Sequence, residues 1–217
     1  MQHTDSSIAV ITGDLVNSTK LTTHQFEEVL DRIKTVQAWV TAKNASNAHS
    51  IDRGDEFQTV IQQDIENVLR YAIVYRVAIK SLGKPFDSRI SLAIAAHADI
   101  RSSVSESMGT AFILSGRALK ALKNDRIIFT SDSLSLTEHF ELLLKYLDKQ
   151  LSELTSRQCE VLLTMLQSDD DLTVSELATK LDIATATASK SLKASGWKLI
   201  DELIIRFKNH VLEYKNA

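Results

Sequence analysis

The sequence predicts an α+β chain. A ferredoxin-like sheet-and-helix domain is expected over residues 1–133, a connecting helix over 134–150, and an all-α helix-turn-helix domain over 151–217. Three observations predict this. The first 130 residues read strand, helix, strand, strand, helix, strand, helix, strand. From about residue 134 every apolar pattern has helical spacing. Two Gly-Asp turns, Gly13-Asp14 and Gly54-Asp55, punctuate the strands of the first half.

Taken in order, residues 7–13 carry the unbroken apolar run Ile8-Ala9-Val10-Ile11 and predict a buried strand. Residues 22–42 place Phe26, Val29, Leu30, Ile33, Val36 and Val40 at helical spacing, with Thr22 and Gln25 as a capping box. After a polar turn at 44–47, residues 49–61 predict two strands joined at Gly54-Asp55. Residues 64–82 predict a second helix. Its apolar stripe is widened by Ile73, Val74 and Val77, so most of it is expected to be buried. Arg76 interrupts that stripe and needs a helix edge or a polar partner. Gly83 and Pro85 end the helix. Residues 88–98 predict a strand on Arg89-Ile90-Ser91-Leu92-Ala93-Ile94, and a polar loop runs through Ser107. A short helix over 110–123 and a strand over 126–130 complete the domain. In the connecting helix, Leu142, Leu143, Tyr146, Leu147 and Leu151 predict one packed stripe.

Composition limits the function classes. A net charge of −3 excludes a chain that is basic throughout, while a local basic face stays open. One cysteine, Cys159, excludes an intrachain disulfide framework, and it is expected as a buried apolar residue. No stretch approaches the ~18 apolar residues of a membrane span, and the first residues lack a leader pattern. A soluble, cytoplasmic protein with no membrane partner is the expectation.

The chemistry is concentrated at the two Gly-Asp turns. Adjacent strands would bring Asp14 and Asp55 together, and paired carboxylates are what a hard divalent cation on a nucleotide phosphate requires. Mg²⁺ with a nucleotide is therefore the expected ligand. Backbone N–H groups of residues 15–18, together with Asn17, Ser18 and Thr19, are the expected phosphate contacts. Glu56 is expected to alternate to the other side of its strand. Arg53 would balance the carboxylates or contact phosphate, and His97 is expected as a structural or exposed residue. The opposing reading makes both aspartates ordinary turn or cap residues.

These residues resemble a family. Asp14-Leu15-Val16-Asn17-Ser18-Thr19 resembles the D-I-V-G-S-T stretch of class III nucleotidyl cyclases. Gly54-Asp55-Glu56-Phe57 resembles their Gly-Asp hairpin and the GGDEF turn of diguanylate cyclases. Met108-Gly109-Thr110-Ala111-Phe112, with Ser115-Gly116-Arg117-Ala118-Leu119, is similar to the later cyclase segment G-x-x-V-N-x-A-A-R-L. The ordered set I-T-G-D-x-x-N-S, then G-D-E-F-Q, then a Gly-Ala-Phe stretch before Arg117, is closest to the SatD family. That resemblance covers nearly the whole chain. It implies a cyclase-like N-terminal domain, a purine nucleotide as the ligand, Arg117 as a phosphate-binding residue, and a C-terminal DNA-binding domain. Ile113 stands where the cyclase motif has the Asn that pairs with its Arg. Ala95, Ala96 and Ala98 stand where glycines are expected. An isoleucine donates no hydrogen bond, and loss of one preorganised donor costs on the order of 10²–10³ in rate.

In the C-terminal segment Thr173-Val174-Ser175-Glu176 is a capping box. Leu177, Ala178, Leu181, Ile183, Ala188 and Leu192 then fall at helix-turn-helix spacing, with Asp182 at the turn. The expected DNA contacts are Thr185, Thr187, Ser189, Lys190 and Lys193. Residues 151–217 hold eight basic and ten acidic side chains, so these lysines form only a small positive face and a homodimer would be needed for affinity. Leu199, Ile200, Leu203, Ile204, Phe207 and Val211 are expected as core or as a dimer-forming helix.

The leading expectation is a cytoplasmic transcriptional regulator whose degenerate cyclase-like domain senses a nucleotide and whose helix-turn-helix binds DNA. The alternative is a nucleotidyl cyclase or related phosphoryl-transfer enzyme regulated by its helix-turn-helix domain. A ligand-free interaction module is the second alternative.

Overall fold

The computed structural model describes residues 2–4, 7–52, 54–96 and 98–216. Its main sheet has five strands in the order β3-β4-β2-β5-β8. They are β2 (Ile8–Leu15), β3 (Ala48–Asp52), β4 (Glu56–Ile61), β5 (Ser88–Ala95) and β8 (Ile127–Ser131). Only β5 and β8 run parallel; the other pairs are antiparallel. Three short segments form a second small sheet, β1 (Gln2–Thr4), β6 (Ala98–Ile100) and β7 (Met108–Gly109). None of these three was expected, because each is too short to carry a period-2 pattern.

The expected long elements are present with end shifts of up to four residues. Helix α1 spans Thr23–Lys43 behind the Thr22–Gln25 capping box. A 3₁₀ turn at Ile65–Asn67 precedes α2 (Val68–Ser81), which is buried from Tyr71 to Ile79. Helix α3 spans Thr110–Ala121. Helices α4 (Leu134–Glu153), α5 (Ser156–Gln167), α6 (Val174–Lys180), α7 (Thr185–Ser195) and α8 (Trp197–Lys215) complete the chain.

The two faces of the main sheet pack differently. Ala9, Ile11, Leu15, Phe57, Ile61, Ile90, Leu92, Ile94, Ile127 and Phe129 form one apolar cluster with α1, α2, α4, α5 and α8. The opposite face packs Ile8, Val10, Val60 and Ala95 against Ala111 of α3 and Val104. Burying these side chains supplies roughly 1.5–3 kcal/mol each before the entropy of ordering is subtracted. Gly13 sits in this frame for a steric reason: a Cβ there would lie 2.3 Å from the Phe57 ring, which stacks on Tyr75 at 4.9 Å.

Two expectations change here. The buried stripe of α4 is Leu136, Phe140, Leu144, Leu147 and Leu151, while Leu142, Leu143 and Tyr146 are exposed. Docking against Phe129 and Phe207 rotates the helix, selecting a different stripe from the one its leucine density suggests. Leu199 is likewise exposed, while Ile200, Ile204, Phe207 and Val211 are core. Arg76 finds partners rather than an edge. It is fully buried, donates to Asp148 and, at 2.7 Å, to Ser152 Oγ, and lies 3.4 Å from Asp87. A buried guanidinium is tolerable only with such pairing. Cys159 is buried, and burial pushes its thiol up to about 11.

Candidate functional site

The site is built by strand register. In the β2–β4 ladder Asp14 lies opposite Glu56, and in the β2–β5 ladder it lies opposite Arg89. Directly opposed residues share a sheet face, so Glu56, Asp14 and Arg89 form a row across three strands. The next row is Gln58, Thr12 and Ser91. Thr12 Oγ1 and Ser115 Oγ of α3 are 2.9 Å apart, which ties that helix to the same face. Arg89 grips Asp14 with two groups: Nε donates to Oδ1 at 2.9 Å and Nη2 donates to Oδ2. Accepting these bonds, Asp14 holds the guanidinium pKa above its ordinary range, against a smaller opposing effect of burial. The Glu56 expectation is refined accordingly. It alternates relative to Asp55, which precedes the strand, and this places it on the face of Asp14.

Asp55 comes to the same turn by another route. Gly54 has φ +82°, a left-handed conformation that favours glycine, and it reverses the chain between β3 and β4. The Asp55 carbonyl accepts from the Leu15 N–H at 3.1 Å, and its carboxylate accepts from Ser18 Oγ at 2.8 Å. Asn17 is left-handed as well, with φ 56°, and caps the 3₁₀ turn Ser18–Lys20. Asn17 and Thr19 are exposed and Ser18 is half-buried. The cradle expected from residues 15–18 is smaller than the sequence suggested. Leu15 N–H goes to Asp55, and Val16 N–H donates to the Asp87 carbonyl at 2.9 Å.

The oxygen donors are divided: the Asp55 carboxylate accepts from Ser18 Oγ at the turn after β2, while the Asp14 carboxylate is held by Arg89. Among the described residues no group of three or more His, Cys, Asp or Glu could hold a metal. Mg²⁺ commonly takes one or two carboxylates and completes its shell with phosphates and water, so the pair fits that mode of binding. Asp14, however, already carries a cation in Arg89.

On α3, Arg117 is exposed and Ile113 is 50% exposed, one helical turn apart. Ala95 and Ala98 are buried, and the Ala96 N–H donates to Asp132 at 2.8 Å. Arg53 and His97 lie outside the described residues. The site residue that sequence reasoning missed is Arg89. Its signal was a lone charged residue one position into a strand that otherwise holds only apolar residues and two serines. In the C-terminal half, Thr185, Thr187, Ser189, Lys190 and Lys193 all fall on exposed positions of α7. Asp182 occupies the left-handed turn before it with φ 50°, and Ile183 N–H donates to the Ala178 carbonyl at 3.0 Å.

No protein-family model matches the chain, and no curated protein matches it. Among solved structures it is similar to the guanylyl cyclase Cya2, with 16% identity over 59% of this chain and 76% of that one and a TM-score of 0.46. It is also similar to a bacterial light-regulated adenylyl cyclase, with 12% identity over 60% and 77% of the two chains and a TM-score of 0.45. A third is the guanylate cyclase domain of RhGC from Catenaria anguillulae in complex with GTP, with 17% identity over 57% and 76% and a TM-score of 0.44. These neighbours correct the leading expectation of a DNA-binding transcriptional regulator. They are nucleotidyl cyclases, matched over 57–60% of this chain. Among the described residues no helix is long and apolar enough to cross a membrane.

Proposed function

We propose that the chain is a nucleotidyl cyclase-like phosphoryl-transfer enzyme acting on a purine nucleoside triphosphate at the turn after β2. One observation carries this reading: the Leu15 N–H and the Ser18 hydroxyl both bind Asp55, which brings the second carboxylate to the turn that follows Asp14. Asp14 and Asp55 would hold Mg²⁺. When bound, that ion would neutralise phosphate charge as it develops. Ser18 orients the Asp55 carboxylate. Asn17 and Thr19, exposed at the turn, face arriving phosphate, and Arg117 lies on the exposed side of α3. In a cyclising step the 3′-hydroxyl attacks the α-phosphorus, pyrophosphate leaves, and the hydroxyl proton passes to a base or water. Ile113 contributes no donor to that transition state, so turnover is slow.

Several finer assignments belong to the same reading. The β2–α1–β3–β4–α2–β5 unit is a ferredoxin-like core, supported by its strand order. The α6–α7 pair is a helix-turn-helix that regulates the enzyme, supported by its left-handed Asp182 turn. SatD membership is supported by the order of the motifs, cytoplasmic placement by the single buried thiol, and a homodimer by the exposed Leu142, Tyr146 and Leu199. Chromatography of ATP and GTP incubations with Mg²⁺ tests the proposal. A cyclic product formed by the natural chain and lost in Asp55→Asn is expected. No conversion of either nucleotide, or equal conversion by both proteins, would overturn it.

A further inference from the structure

We propose that Arg89 is an internal cation that competes with the divalent metal for Asp14, so that metal binds Asp14 only when the Arg89–Asp14 pair opens. The inference rests on the metal–nucleotide reading of the site and adds its regulation.

Three observations carry it. First, both Asp14 oxygens are engaged, one by Nε and one by Nη2. A carboxylate held by a planar fork is already neutralised, and a divalent ion brought to it meets a like charge. Second, the pair is fixed by the fold. Asp14 and Arg89 are opposed in the β2–β5 ladder, between Gly13↔Ile90 and Leu15↔Ser88, so the arginine meets the carboxylate without a loop having to close. Its side chain is 35% exposed and that of Asp14 is 14% exposed, which leaves the arginine an outward path. Third, the two carboxylates of the site are unequal. The partner of Asp55 is the neutral Ser18 hydroxyl, whereas the partner of Asp14 is charged. Glu56, on the other side of Asp14 in the same row, keeps the neighbourhood negative when the arginine leaves. The site therefore offers a divalent ion one ready carboxylate and one latched carboxylate. Affinity for metal alone is weak, and opening of the latch sets it.

The test measures Mn²⁺ binding to the full chain by the electron paramagnetic resonance signal of the free ion, without nucleotide. Arg89→Gln is expected to bind Mn²⁺ about tenfold more tightly than the natural chain, a difference of about 1.4 kcal/mol. Arg89→Gln combined with Asp14→Asn is expected to lose that gain. A second measurement needs no substitution. In the natural chain, the Arg89 Nε–H resonance should shift and exchange faster with water as Mg²⁺ is added. Mn²⁺ binding that is unchanged or weaker in Arg89→Gln, but reduced in Asp55→Asn, would overturn the competition and leave the metal site standing. An Arg89 resonance unmoved at saturating Mg²⁺ would have the same force. Absence of Mn²⁺ binding in every variant, with or without ATP, would overturn both the competition and the site.

Discussion

The two faces of one sheet do different work with the same strands. On the face covered by α1, α2, α4, α5 and α8, β2, β4 and β5 contribute Ala9, Ile11, Phe57, Ile61, Ile90 and Leu92 to a continuous apolar core. On the other face the same strands carry Glu56, Gln58, Thr12, Asp14, Arg89 and Ser91 toward one end. Period-2 alternation makes this division possible: on the second face each strand is apolar at one end, where Ile8, Val10, Val60 and Ala95 pack on α3, and polar at the other. The difference teaches where changes should act. Substitutions in the core should unfold the chain, and those at the exposed polar end near the turn at residues 17–19 should spare the fold and alter binding.

The largest expected break of that contrast is on the core face. Phe57→Ala removes a ring that fills the space over Gly13 and stacks on Tyr75, and should cost about 3–5 kcal/mol of stability. Urea denaturation checks it, and a cost near that of a surface substitution would mean that the face is loosely packed. On the polar face Ser18→Ala should leave the urea midpoint nearly unchanged while weakening nucleotide turnover or binding about tenfold, since it removes one hydrogen bond to a carboxylate. Isothermal titration with a non-hydrolysable triphosphate measures the binding part.

A smaller effect separates the faces by pH. Burial lowers the His49 pKa from its ordinary 6.5 to about 4, while its ring nitrogens lie 2.8 Å from Thr41 Oγ1 and 3.0 Å from Thr59 Oγ1. The unfolded chain then binds the proton more readily than the folded one. Stability should fall as pH drops from about 6.5 toward 4, and be unaffected by this group above that window. Melting temperatures across that range, compared with those of His49→Gln, check it. A natural chain and variant with the same slope would remove the histidine from the account.

Much of this was legible in the sequence, and what was not has physical causes. The capping boxes at Thr22 and Thr173 and the left-handed turn at Asp182 were readable because they depend on residues three or four apart. The Gly54-Asp55 turn was readable from its glycine, which takes the left-handed conformation, whereas Gly13-Asp14, expected as a turn, lies inside β2 and is paired on both sides. The Arg89–Asp14 pair was not readable. It joins residues 75 positions apart through a register that only the folded sheet sets. The Arg76–Asp148 pair was hidden for the same reason, spanning 72 positions. The packed stripe of α4 was misread because leucine density does not reveal which face a neighbouring helix covers.

The most direct test of the central claim is a crystal structure of the chain with Mn²⁺ and a non-hydrolysable purine triphosphate, with the metal located by its anomalous signal. The account predicts an anomalous peak bound by the Asp55 carboxylate, with the triphosphate against the turn at residues 17–19. A nucleotide bound elsewhere, or a metal peak remote from both Asp14 and Asp55, would contradict it.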